Sequence, residues 1–90
     1  MAVTVRIPTT MRPLTGGATT VDVEAGTLSD VIKALDHAHA GLAERLLEDG
    51  ALRKFVNVFV DDDDVRYLNG LDTDVPDGQT VSIIPAVAGG

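Results

Sequence analysis

The chain reads as an α+β protein: one mixed sheet, a single main helix packed on one of its faces, and an extended C-terminal tail. Three features point there. Apolar and polar residues alternate with a period of two in several segments, one segment switches to the 3.6-residue period of an amphipathic helix, and turn residues separate them. Ninety residues make one domain, because a chain of this size hides only about 60–70% of its surface on folding and builds one modest core.

The opening strand sets Val3, Val5 and Ile7 on one side and Thr4 and Arg6 on the other, and Pro8 closes it. Met11-Arg12-Pro13-Leu14-Thr15-Gly16-Gly17 carries the residues of a chain reversal. Residues 19–24 then alternate again, Val21 and Val23 inward, and complete a first hairpin. Thr27 is an N-cap with Asp30 three residues on. Leu28, Val31, Ile32 and Leu35 follow at helical spacing, so an amphipathic helix spans about 28–39. Gly41 ends or interrupts it, and Leu42, Leu46 and Leu47 fit a further turn or two of helix before Asp49-Gly50.

Residues 54–60 form a third strand with Val56, Val58 and Val60 on one face and Phe55, Asn57 and Phe59 on the other. Phe55 and Phe59 are either core or part of an exposed docking patch, and the reading leans to core; exposed, they would anchor a partner. The aspartates 61–64 turn the chain into a short strand at 65–67, and Pro76-Asp77-Gly78 marks another turn. Val81, Ile83 and Ile84 make a last strand apolar enough to be central. Strand, strand, helix, strand, short strand, strand is the order of the β-grasp architecture. The right-handed crossover rule sets the strand after the helix parallel to one already in the sheet. One helix covers one face, so the other is solvated or meets a partner.

Composition narrows the function. Without cysteine there is no disulfide, no thiolate metal site and no cysteine nucleophile. No apolar run reaches the length of a membrane span and no signal-like start is present, so the cytoplasm is the expected location. A net charge of −7 repels nucleic acid and favours either a protein partner with a basic face or simple solubility. The run 61–64 lacks the alternating ligands, glycine and distal glutamate of a calcium loop and reads as a solvated turn, with docking as the lesser alternative. His37 and His39, two apart on a helix, cannot share a metal, and Ser29 has no base and orienting acid to make it a nucleophile.

The remaining chemistry lies in the tail. Residues 1–85 form the domain and 86–90 a flexible tail, within the ending Pro85-Ala86-Val87-Ala88-Gly89-Gly90. Glycine lets a backbone thread a narrow channel with no Cβ against its walls, which gives Gly89 and Gly90 a mechanical purpose if the final carboxylate reacts. A free carboxylate is inert to nucleophiles, so a partner would first convert it to an acyl adenylate with ATP. Displacement by sulfur then yields a nucleophilic thiocarboxylate.

That ending, behind this order of elements, resembles the ubiquitin-like sulfur carriers of the ThiS and MoaD kind over the whole chain. Ile7-Pro8-Thr9, Arg12-Pro13, Thr15-Gly16-Gly17, Phe55-Val56-Asn57-Val58, Asp64-Val65-Arg66-Tyr67 and the run Ile84 to Gly90 are most similar to an actinobacterial branch that supplies sulfide for cysteine synthesis. The resemblance implies a carrier with no catalytic machinery and no bound cofactor. Gly90 would be the acyl group and Gly89 its accommodating neighbour. The implied partners are an E1-like adenylating and sulfurtransferase enzyme that consumes ATP and a sulfur donor, a pyridoxal-phosphate (PLP)-dependent cysteine synthase, and a metalloprotease. Thiosugar, thiazole or molybdopterin synthesis are other acceptors of the same chemistry. A protein modifier joined to lysine through Gly90, and an unreactive binding domain, are the rival readings.

Overall fold

The computed structural model describes residues 2–85. β1 (Ala2–Arg6) and β2 (Thr20–Glu24) pair antiparallel, with Val5 opposite Val21 and Arg6 opposite Thr20, as the alternation predicts. Their connection is more than a turn. Thr9–Thr15 form a 3-10 helix that Gly16 ends at φ 66°, a left-handed conformation open to glycine. Met11 and Thr15 face the core from it.

β3 (Gly26–Thr27) leads into α1 (Leu28–Ala38), and the two meet at a complete capping box. The Asp30 N–H donates to Thr27 Oγ1 at 3.2 Å, and the Thr27 N–H donates to Asp30 Oδ2 at 3.1 Å. The Thr27 N–H, helped by its hydroxyl, holds the Asp30 carboxyl below the ordinary carboxylate range. Leu28, Val31, Ile32 and Leu35 are buried, so the helical spacing identified the inward stripe correctly.

α2 (Leu42–Leu46) seals one end of the core with Leu42 and Leu46, a role the sequence left open. Its first turn is capped from α1: Asp36 Oδ1 accepts the N–H groups of Gly41 and Ala43 at 3.0 and 3.1 Å. β4 (Leu47–Glu48) and β5 (Ala51–Leu52) then form a small hairpin through Asp49 and Gly50, at φ 53° and 79°. Two left-handed residues in a two-residue loop are the signature of an Asp-Gly hairpin.

β6 (Val56–Val60) and β7 (Asp63–Asp64) form a further hairpin, and β8 (Asp74–Val75) pairs with β3. The expected strand at 65–67 is instead a 3-10 turn, because Asp64 Oδ1 accepts the Arg66 N–H at 2.9 Å and bends the chain. β9 (Thr80–Pro85) lies in the middle of a five-stranded sheet of order β2-β1-β9-β6-β7. β9 runs parallel to β1 and antiparallel to β6. The strand after the helices, β6, therefore runs in the direction of β2, but the parallel ladder itself joins the first and last strands.

Val56, Val58 and Val60 are buried, and that assignment corrects the inward lean given to Phe55 and Phe59. Phe55 is 61% exposed and Phe59 only partly covered. The reason is the period of two: once three compact valines fill the space beneath α1, the alternate residues must face outward. Phe55 also precedes the strand rather than opening it, since the Val56 N–H donates to the Arg53 carbonyl and closes a turn there. Among the described residues the buried core is aliphatic apart from Met11, with the polar Thr15 and Thr73 at its margin.

Candidate functional site

Of the tail residues singled out above, Pro85 alone is described. Ala86, Val87, Ala88, Gly89 and Gly90 lie outside the described residues. What can be built is the root from which the tail departs. β9 is held by ladders on both sides, Arg6 opposite Ser82 from β1 and Asn57 opposite Ile84 from β6, and Pro85 stands opposite Val56. Pro85 has no N–H to donate, which suits the end of a ladder. The β1 ladder ends at Ser82, so the strand is held on both edges up to there and by β6 alone from Ile83 to Pro85.

The turn before β6 flanks this root and is fixed by Arg66. Its guanidinium donates to the carbonyl oxygens of Arg53, Lys54 and Val56 at 2.8, 3.4 and 2.6 Å and to Asn57 Oδ1. Five donors in a planar fork reach these four acceptors at once, one more than the three protons of an ammonium could serve. Sequence reasoning gave Arg66 no structural duty. An arginine following the hairpin shows no local pattern that reveals carbonyl partners ten or more residues away.

On the face opposite α1, side chains cross the sheet in rows. Phe59, Ser82, Arg6 and Thr20 are consecutive register partners across β6, β9, β1 and β2. Ile84, 49% exposed, lies one row nearer the tail, opposite Asn57. Phe55 adjoins Val56, the partner of Pro85. Of the two phenylalanines named from the sequence, Phe55 therefore lies at the tail root, while Phe59, opposite Ser82, lies three register positions further from it on the open face. Tyr67, 88% exposed, and Leu68 add apolar surface beyond β6; the sequence reading placed Tyr67 in a short strand and named neither as exposed apolar surface.

The aspartate run divides its labour. Asp61, at φ 53°, ties the β6–β7 turn to β9: its N–H donates to the Thr80 carbonyl at 2.7 Å and its Oδ1 accepts the Thr80 N–H at 3.0 Å. Asp64 caps the turn after β7, while Asp62 and Asp63 are solvated. Among the described residues no three metal-binding side chains converge, and no helix is long and apolar enough to cross a membrane. His37 is exposed and His39 closes the C-terminus of α1.

A mixed five-stranded sheet grasping one main helix, with the last strand in the centre leading to the tail, defines a ubiquitin-like β-grasp protein. Residues 5–90 match the ThiS family. The chain is 48% identical to the sulfur carrier protein CysO of Mycobacterium tuberculosis over the full length of both. It superposes with a TM-score of 0.95 and 46% identity on a chain of the crystal structure of the Amycolatopsis orientalis BexX/CysO complex, covering 99% of this chain and 100% of that one. It is also 44% identical to small archaeal modifier protein 3 of Haloferax volcanii, over 78% of this chain and 75% of the relative. The chain belongs to the ThiS family.

Proposed function

We propose that this chain is a sulfur carrier whose reactive group is the carboxylate of Gly90. The observation that carries the reading is its full-length identity to a named sulfur carrier, in a family match that runs through Gly89 and Gly90. An E1-like partner joins the carboxylate to AMP from ATP and releases pyrophosphate. A sulfur donor then displaces AMP and leaves the thiocarboxylate. The chain itself binds no cofactor, and ATP and sulfur donor are consumed by the partner.

Pro85, Ala86, Val87, Ala88 and Gly89 thread the partner's channel, while β9 holds their base. Phe55 and Phe59 dock the domain, because one aromatic ring beside the tail root and one further along the open face supply apolar contact area where the partner grips. The acceptor is the aminoacrylate on a PLP-dependent cysteine synthase, and a metalloprotease frees the amino acid. Assembly with partner enzymes accords with the A. orientalis CysO, which forms a complex with BexX.

The test is the intact mass after incubation with ATP, a sulfide source and the cognate adenylating enzyme. Replacement of one oxygen by sulfur at Gly90 is the expected result, and no change with an enzyme active on its own carrier overturns the reading. Phe55→Ala and Phe59→Ala should raise KM for this reaction about ten-fold or more with kcat kept. The likeness to an archaeal modifier favours one second reading, isopeptide linkage of Gly90 to lysine. Conjugates that appear while no thiocarboxylate forms would establish that instead.

A further inference from the structure

A groove of about 340 Å³ runs between β9 and the chain leaving β1. Its polar side chains are those of Arg6, Arg12, Thr19, Thr20 and Ser82, and no carboxylate lines it. The register builds half of this arrangement, since Arg6 stands between Thr20 and Ser82 in one row of the open face. The other half is local. Arg12 donates from Nε to the Ile7 carbonyl at 3.2 Å, and its outer nitrogens make no hydrogen bond among the described residues.

The chain has seven basic and fourteen acidic residues, so two arginines together without an acid run against its composition. The other arginines near the tail root are engaged: Arg53 lies 3.7 Å from Glu48, and Arg66 is spent on carbonyls. Arg6 and Arg12 have no ion-pair partner among the described residues. Ile84 and Pro8 complete the lining, so the groove offers an apolar wall beside two positive charges.

We infer that this groove is a docking surface for an acidic, partly apolar segment of a partner protein, with Arg6 and Arg12 receiving its carboxylates. Charge complementarity selects the occupant: guanidinium forks suit carboxylates, and the apolar wall suits a peptide side chain better than a bare anion. The molecule as a whole repels acidic chains, so a local pair of positive charges at the tail root orients an approaching partner toward the tail. That the partner is the activating enzyme rests on the carrier reading above; the groove's chemistry does not.

The first test titrates the 15N-labelled full chain with acetyl-Glu-Glu-Leu-Glu-Glu-amide, beside its lysine counterpart and inorganic phosphate at matched ionic strength. Saturable shifts at the amides of Arg6, Ile7, Thr20 and Ser82 with the acidic peptide alone are expected, weakened about five-fold or more by Arg6→Glu. Arg6 makes no side-chain hydrogen bond among the described residues, and Arg6→Gln is the gentler second variant. Scattered shifts, shifts that survive Arg6→Glu, or equal shifts with phosphate overturn the proposal. The last would mark a simple anion site.

The second test measures adenylation by the cognate enzyme. Arg6→Glu should raise KM about ten-fold or more and spare kcat, while Asp77→Lys in a remote exposed turn changes KM by about two-fold or less. An unchanged KM in Arg6→Glu overturns the groove and leaves the carrier reading standing. If the unaltered chain is not adenylated, the carrier reading fails, and the peptide titration still decides the groove.

Discussion

On the covered side of the sheet the row Val60, Val81, Val5 and Val21 packs beneath the helices. One residue along the same four strands the row Phe59, Ser82, Arg6 and Thr20 faces solvent. Alternation along each strand creates both rows, yet they differ in chemistry. The covered row is aliphatic and interchangeable. The open row is mixed: a ring, a hydroxyl, a guanidinium and a second hydroxyl. A surface with no contact to make gains nothing from a partly exposed phenylalanine in the same row as an arginine without an ion-pair partner among the described residues. The contrast teaches that stability is invested on one face, while the other is the face proposed above for recognition, with β9 contributing to both.

The sharpest test of that division is a matched pair of truncations. Leu35→Ala should lower the unfolding free energy in urea by about 2–5 kcal/mol, because it leaves a hole against a packed core. Ile84→Ala on the open face should change it by about 0.5 kcal/mol or less. Equal losses would break the comparison. Next in size is Gly26→Ala, whose added Cβ would fall 2.9 Å from both Asp30 Cβ and Oδ2 at the start of α1. Crowding there should cost about 1–3 kcal/mol and lower Tm.

Asp36→Ala should cost about 1 kcal/mol by uncapping α2, and the Gly41 and Ala43 amides should exchange with solvent faster while those of β9 do not. The smallest effect is in acid. Asp30 is held below its ordinary value in the folded chain, so its contribution is complete above pH about 4 and is withdrawn as pH falls through the lowered native value. Asp30→Asn should therefore flatten the decline of stability between about pH 5 and pH 2, as read by urea midpoints. An unchanged slope would mean that the capping box adds nothing to the helix that covers the sheet.

Much of the fold was legible because it rests on short-range rules. The alternation of Val3, Val5 and Ile7, the stripe from Leu28 to Leu35 and the Thr27–Asp30 box each declare themselves within a dozen residues. The Asp49-Gly50 hairpin was equally local, but the leucines before it resembled a continuing helix and masked it. The strand limits near 54 and 65 were displaced for a different reason. Arg66 and Asp64 impose turns through hydrogen bonds that depend on the chain already being folded.

The candidate site divides along the same line. By itself the sequence determined the order of elements, the inward stripe of the helix and the Gly89-Gly90 pair behind the last strand, since all of these are properties of neighbours along the chain. Only the tertiary structure decided which side of β6 carries its phenylalanines and that β9 lies between β1 and β6. Only it set Arg6 and Arg12 in one groove at the tail root. Those outcomes depend on which strands pair and in what register, and period-two patterns that fit either face leave that choice to the packing of the whole sheet against its helices.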